Sequence, residues 1–178
     1  VSYMTELIND VLIINKAETG KINFAPSEVN LYNLIKESID NFRTTAGNDI
    51  EFILKYNASR KIYVLDLKLL MQIINNLVSN AVKYSPAGGD IKISVSDANS
   101  MLKIKVADSG MGISEDDQNH LFHPFYRGKN IENIPGTGLG LSIVQKAVEM
   151  HNGKVFFESS VGKGTTFTIF IPLVDNNV

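Results

Sequence analysis

The 178-residue chain has no cysteine. That excludes disulfides, cysteine-ligated zinc and a thiol nucleophile, and it fits a reducing compartment. A surplus of charge is missing as well, since 17 basic against 19 acidic residues leave −2 at pH 7. With both signs interspersed, nothing favours nucleic acid or an anionic membrane surface as a partner. The longest early hydrophobic run is VLII at residues 11–14, far short of a membrane span or a signal-peptide core. Internal repeats and low-complexity tracts are also lacking. What remains is a globular composition, 44% apolar, in a length suited to one domain with an appended element. Beginning at Val1 rather than Met, the chain reads as a soluble piece excised from a longer protein.

The first segment, YMTELINDVLIINKAE, sets Met4, Leu7, Val11 and Ile14 at the 3-4-3 spacing of a heptad seam, widened by Ile8, Leu12 and Ile13. Two readings stand: an amphipathic helix on the chain's own core, or the end of a longer helix from a dimeric bundle. Thr19-Gly20 is its stop signal. Past it, periodicity predicts a helix over 31–43, short strands over 50–56 and 61–65, and a long helix over 67–84. Asp66 caps that helix, and Ser85-Pro86 with Gly88-Gly89 closes it. Alternation then predicts strands over 91–95 and 102–106 about an Asn99-Ser100 turn. A helix over 140–151 stopped at Asn152-Gly153 follows, then strands over 155–158 and 167–173. The predicted class is α+β: a two-layer sandwich with helices on one face of a mixed, mostly antiparallel sheet.

Several stretches could carry chemistry. On the long helix, Leu67, Leu70, Ile74, Leu77 and Ala81 make a core stripe, while Asn76, Asn80 and Lys83 share nearly the opposite side. Asparagine is a mediocre helix former with little reason to recur there. A solvated face is one explanation; an amide oxygen for a hard cation, with a lysine for phosphate, is the other. In KIKVADSGMGIS, alternation puts Asp108 on the inward face, where a carboxylate needs hydrogen-bond donors. Those donors come either from the local Ser109-Gly110 turn or from a ligand amine such as that of adenine. Gly110 and Gly112 keep Cβ atoms out of the way, and Ser114 with Asp117 forms a capping box. Next, HLFHPFYRGK offers Phe122 and Phe125 as anchors to the core, with Arg127 and Lys129 pointing away from it. The stretch from 128 to 138 reads as a mobile lid over an anion, or as a plain surface loop. GTGLGLS has bare backbone ahead of a helix, the usual setting for phosphate. It is neither a P-loop, lacking Lys-Ser/Thr after the last glycine, nor a G-x-G-x-x-G fingerprint.

Taken in order, NNLVSNAVKYS, DSGMG, FHPFYR, GTGLGLS and GKGTTF resemble the N box, first glycine box, F box, and second and third glycine boxes of sensor histidine kinases of two-component systems. The resemblance covers about residues 20–174 and implies the Bergerat (GHKL) nucleotide-binding fold. It also implies a division into residues 1–19, the end of the second helix of the dimerisation and phosphotransfer bundle, and 20–178, the catalytic ATP-binding domain. By the same resemblance Asn80 would hold Mg²⁺ with Asn76 assisting, Lys83 would approach phosphate, and Tyr84 would border the nucleotide. Asp108 would receive the adenine amine, with Thr165 supporting through water and Gly110, Gly112 and Ile113 shaping the pocket. Arg127 would reach the γ-phosphate side. Gly136, Thr137, Gly138, Leu139, Gly140 and Leu141 would carry the lid into the phosphate-facing helix.

The same resemblance implies ATP and Mg²⁺ as cofactors. The partners would be the parent's phosphoacceptor-histidine bundle and a response regulator receiver domain, with no nucleic acid and no direct membrane contact by this chain. The location would be cytoplasmic under a parent that can be anchored in the inner membrane. The parent would be a dimer and this chain a monomer or weak dimer. One departure matters: His120, His123 and His151 lack the context of a phosphoacceptor, so the acceptor lies outside this chain. A hydrolytic ATPase of the gyrase and chaperone type is the rival reading. There a glutamate base stands four residues before the metal-binding asparagine, whereas this chain has Asn76. A partner-binding module without catalysis, or a serine kinase of the anti-sigma type, is a further alternative. Intact boxes oppose the first and the bundle-helix remnant the second.

Overall fold

The computed structural model describes residues 7, 8, 11, 12, 15, 23–46 (backbone alone at 45 and 46), 50–85, 89–128, 131 and 134–173. Leu7, Ile8, Val11, Leu12 and Asn15 are helical. Met4, Ile13, Ile14 and the Thr19-Gly20 stop lie outside the described residues, as do Pro86, Gly88 and Lys129.

Strand β1 (Ser27–Asn30) leads into α1 (Leu31–Ala46), whose first turn is capped by the Asn30 side chain accepting from Asn33 N–H at 3.0 Å. Strands β2 (Glu51–Tyr56) and β3 (Ile62–Leu65) follow. They do not lie side by side. β3 pairs antiparallel with β1 in a small ribbon, while β2 joins the main sheet parallel to the strand after the long helix. Strand β1 went unpredicted because SEVN has a single apolar residue, Val29, to mark it.

The long helix α2 (Leu67–Tyr84) begins as expected, with Asp66 Oδ1 accepting from Leu69 N–H at 3.1 Å. Its buried stripe is broader than the predicted one, taking in Leu69, Ile73 and Val78 as well, whereas Leu67 is exposed. Leu67 is the first residue of the helix, and although Leu69 and Leu70 of the same turn are buried, its own side chain faces out, so periodicity alone misplaced it.

β4 (Asp90–Ala98) and β5 (Met101–Asp108) form the expected hairpin. Asn99 and Ser100 both take positive φ, 52° and 57°, the backbone a two-residue turn between right-twisted strands demands. A single turn, α3 (Glu115–Gln118), precedes α4 (Gly140–Met150). α4 closes with Asn152 N–H on Glu149 carbonyl and Gly153 N–H on Val148 carbonyl, the Schellman pairing, with Asn152 at φ 55°. β6 (Lys154–Ser160) and β7 (Gly164–Pro172) complete a sheet of order β2-β4-β5-β7-β6, antiparallel except for β2–β4.

The core lies between one sheet face and the helices. Ile91, Ile93, Val95, Leu102, Ile104, Val106, Ile169 and Ile171 are all buried there against Ile35, Leu70, Ile74, Leu77, Val144 and Val148. Each such side chain contributes about 1.5–3 kcal/mol on burial. The opposite face carries Lys92, Ser94, Lys103, Lys105 and Thr168. One covered face and one wet face give the alternation its clarity. The core is continuous without any residue of the Asn76, Asn80 and Lys83 side of α2, which is left for another task. No described helix is long and apolar enough to cross a membrane.

Candidate functional site

A cavity of about 370 Å³ opens beside that polar side of α2. Its walls are α2, the turn after β5, described residues between Leu121 and Gly138, the start of α4 and the β6–β7 hairpin. Asp108 stands at the end of β5, half-buried rather than in the core. Its Oδ1 accepts from Gly110 N–H at 2.8 Å and Thr165 N–H at 3.1 Å. The local-turn donor is therefore real, and the β6–β7 hairpin supplies a second. Oδ2 has no partner among the described residues. Burial pushes the Asp108 carboxyl above its ordinary value, and the two amides pull it partly back.

The turn after Asp108 is pinned on every side. Met111 N–H reaches Tyr84 carbonyl at 3.2 Å, and Gly162 N–H reaches Met111 carbonyl at 2.8 Å. Ile113 N–H donates to Ser159 Oγ at 2.9 Å. At Gly112 the backbone takes φ 69°, and an added Cβ would fall 2.0 Å from Ser160 carbonyl, so only glycine fits. Gly110 is buried behind Asp108, against Tyr84 carbonyl, and does not line the cavity.

Asn76, Asn80, Lys83 and Tyr84 from α2 all line the cavity. Asn80 and Lys83 make no hydrogen bond to described residues. Asn76 is engaged: its amide donates back to Gln72 carbonyl at 2.9 Å, and its Oδ1 lies against Gly140, where an added Cβ would come within 2.6 Å of it. Burial raises the Tyr84 phenol, opposed by the charge on Arg127. The Arg127 guanidinium donates to the carbonyls of Ile131, at 2.8 Å, and Ile134. It thus braces the described part of the 128–138 segment. Gly138, at φ 74°, lets the chain pass within contact of the Phe125 backbone. α4 opens at Leu139 with no side-chain cap, leaving the N–H groups of its first turn to another acceptor.

Of the residues anticipated from sequence, the fold brings Asn76, Asn80, Lys83, Tyr84, Asp108, Gly112, Ile113, Arg127, Gly136, Thr137, Gly138, Gly140, Leu141 and Thr165 to this one cavity. Gly110 stands just outside it, and Leu139 is fully buried, its carbonyl accepting from Ile143 N–H and Ser142 Oγ. Thr165 meets Asp108 directly through its backbone amide, while its hydroxyl is 2.8 Å from Ser159 Oγ. Phe125 is not an anchor. It is 62% exposed, at φ 63°, and Leu121 and Phe122 pack on the core in its place. Tyr126, Asp117, Met111, Leu121, Val161 and Phe167 also line the cavity and were not singled out for it. Asp117 both completes the α3 cap and accepts from Tyr126 hydroxyl at 2.7 Å. No sequence spacing connects these two, because loop geometry alone brings them together. Among the described residues no group of three His, Cys, Asp or Glu could hold a metal.

Residues 65–175 match the family model described as histidine kinase-, DNA gyrase B- and HSP90-like ATPase. Over 174 residues the chain is 35% identical to the sensor histidine kinase WalK of Bacillus subtilis (strain 168), covering 95% of this chain and 28% of that protein. Among solved structures, full-length ShkA in complex with AMPPNP is similar with a TM-score of 0.85 at 25% identity, over 96% of this chain and 36% of that one. Histidine kinase ThkA, in complex with the response regulator protein TrrA, is similar with a TM-score of 0.74 at 26% identity, over 98% of this chain and 50% of that one. This chain therefore spans half or less of each of these proteins. With the two glycine turns, the Asn helix and Asp108 around one cavity, it belongs to the histidine kinase-, DNA gyrase B- and HSP90-like ATPase family, as the ATP-binding catalytic domain of a sensor histidine kinase.

Proposed function

We propose that this domain binds Mg·ATP and presents the γ-phosphoryl group to a histidine outside the chain, from which a response regulator aspartate is phosphorylated. The observation that carries the reading is the polarity of the cavity. One end has a carboxylate with a spare acceptor oxygen, Asp108 Oδ2. The other has two amides and a lysine on α2 and an uncapped helix N-terminus at α4. An adenine amine suits the first and phosphates suit the second.

The donor set fits magnesium held mainly through nucleotide oxygens. Among the described residues no carboxylate cluster competes for it, and the Asn80 amide has no hydrogen-bond partner. Asn80 would be its protein ligand with Asn76 beside it, and the metal would neutralise phosphate charge. Lys83 and Arg127 add positive charge, Tyr84 and Ile113 border the base, and Gly136 to Leu141 offer backbone amides. Positioning and charge neutralisation are what phosphoryl transfer asks of a protein. On this reading residues 1–19 are the end of a bundle helix and 20–178 the catalytic domain. The domain works in the cytoplasm beside the phosphoacceptor bundle of a dimeric parent. The ThkA complex with TrrA supports a receiver domain as the downstream partner.

A hydrolytic role is disfavoured by Asn76. An amide has no basic oxygen to take a proton from water, and this one already donates to Gln72 carbonyl. The test is to mix the chain with γ-labelled ATP and a parent fragment bearing the acceptor histidine. Label on the fragment supports the proposal; brisk phosphate release without it would favour hydrolysis.

A further inference from the structure

Ser159 lies on β6, outside the cavity, yet two of its three partners, Ile113 and Thr165, line it. Its Oγ accepts from Ile113 N–H at 2.9 Å, lies 3.1 Å from Gly164 carbonyl, and lies 2.8 Å from Thr165 Oγ1. A hydroxyl has one proton and two lone pairs. All three contacts are met together when Ser159 donates to Gly164 carbonyl and Thr165 donates to Ser159. The oxygen is then saturated, and Thr165 turns its remaining lone pairs toward the cavity it lines.

The two segments joined at Ser159 are the two that hold Asp108. Gly110 N–H comes from the turn that ends at Ile113, and Thr165 N–H comes from the hairpin. Both donate to Oδ1, so their spacing fixes the carboxylate plane and hence the direction of Oδ2. Gly162 N–H also joins the hairpin to the turn, on Met111 carbonyl at 2.8 Å, but that bond involves neither Ile113 nor Thr165. Gln118 reaches Ile113 carbonyl and Ser159 carbonyl, but at 3.0 Å and a long 3.4 Å, and it touches neither donor of Asp108.

We propose that Ser159 is a positioning residue for base recognition: its hydroxyl ties the 110–113 turn to the 164–165 hairpin and so aims Asp108 Oδ2 at the purine 6-amino group. The inference rests on the adenine reading of Asp108 and deepens it. Loss of the hydroxyl leaves Ile113 N–H without its acceptor and releases Thr165, loosening both amides around Oδ1. The penalty then falls on ligands that use Oδ2 and spares those that do not.

The experiment is calorimetric titration of the whole chain with Mg·ADP and with the magnesium complex of purine riboside 5′-diphosphate, which lacks the 6-amino group. Ser159→Ala is expected to weaken ADP by about tenfold, the scale of one hydrogen bond, and the des-amino nucleotide by less than about threefold. Ser159→Thr, which keeps the hydroxyl, should return ADP to within about threefold of the original chain. If Ser159→Ala fails to fold, Ser159→Cys removes the strong acceptor at similar volume and is read the same way. Equal loss for both nucleotides, or none for ADP, overturns the proposal, as does a folded Ser159→Thr that behaves like alanine. Failure of the unsubstituted chain to bind ADP would instead bring down the nucleotide reading itself, and this inference with it.

Discussion

Asp108→Asn separates recognition from stability. The asparagine can keep its Oδ1 under the amides of Gly110 and Thr165, whose bonds at 2.8 and 3.1 Å need only a carbonyl-type acceptor. Where Oδ2 stood, an NH₂ group would then face the cavity. An adenine amine would meet a donor instead of an acceptor. Losing a hydrogen bond to a charged acceptor costs about 1.5–3 kcal/mol, or about 10- to 150-fold in Kd. The fold should not suffer equally. Burial holds the native Asp108 carboxyl above its ordinary value of 3.8, so the native state prefers it protonated. That preference stabilises the chain below 3.8 and is lost as pH rises through the raised native value, leaving a charge that is unfavourable at neutral pH. Removing it should leave the melting temperature unchanged or higher, a trade of stability for function common at binding sites. The assay pairs calorimetry with Mg·ADP and a guanine nucleotide against thermal melts of both chains. Retained affinity and adenine preference would refute the recognition argument. A melt several degrees lower would show that the carboxylate serves the fold instead.

The other predictions concern backbone, charge and protonation. Gly112→Ala, with φ 69° and a 2.0 Å clash, should cost the fold about 2 kcal/mol or more, whereas Gly136→Ala, with nothing within 4 Å, should melt close to the original. Arg127→Ala should weaken Mg·ATP more than Mg·ADP in parallel titrations, by about tenfold or more for a lost charged contact. Equal affinities would confine Arg127 to bracing Ile131 and Ile134. His151 accepts Asp66 N–H at 3.1 Å on Nε2 and faces Ala147 carbonyl at 2.8 Å with Nδ1, so the neutral ring, protonated at Nδ1, is the form that fits. Burial holds its pKa below the ordinary 6.5. The unfolded chain then binds the proton first, so stability is full above about 6.5 and declines as pH falls from there through the depressed native value. Melts of the original chain and His151→Gln at pH 7.5 and 5.5 check this, since the variant should lose that part of the slope.

Much of this was legible because periodicity reports one buried face. Alternation in β4 and β5 and the 3.6-residue stripe of α2 are direct images of a core on one side. Leu67 and Phe125 show the limit. Both are large and apolar at positions where spacing suggests burial, yet the first turn of α2 and the loop backbone carry them out to solvent. β1 escaped for the opposite reason, being held by pairing with β3 rather than by apolar pattern. The site divides similarly. Residues whose chemistry is unusual for their place, such as asparagines in mid-helix or a carboxylate continuing a core face, announced themselves. Tyr126 and Ser159 did not, since their roles come from neighbours 9 and 46 residues away in sequence.

The α2–α4 pair explains why the polar face of α2 stays registered with the glycine turn. The helices run antiparallel, and two contacts set their register. His151, at the end of α4, accepts the backbone N–H of Asp66, the cap of α2. At the other end Gly140 lies against Asn76 so closely that a Cβ would come within 2.6 Å of its Oδ1. From Gly140 to His151 is 11 residues and from Asp66 to Asn76 is 10, so the spans rise about 16.5 and 15 Å. Asp66 also accepts from Ala25 N–H at 2.8 Å through Oδ2, which fastens the entering chain to the same junction. A buried three-way junction at one end of the helices thus fixes the spacing between the Asn80 amide and the open N-terminus of α4 at the other. Asp66, bonded at that junction through its N–H and both carboxylate oxygens, anchors the register on which the unpaired groups of the site depend.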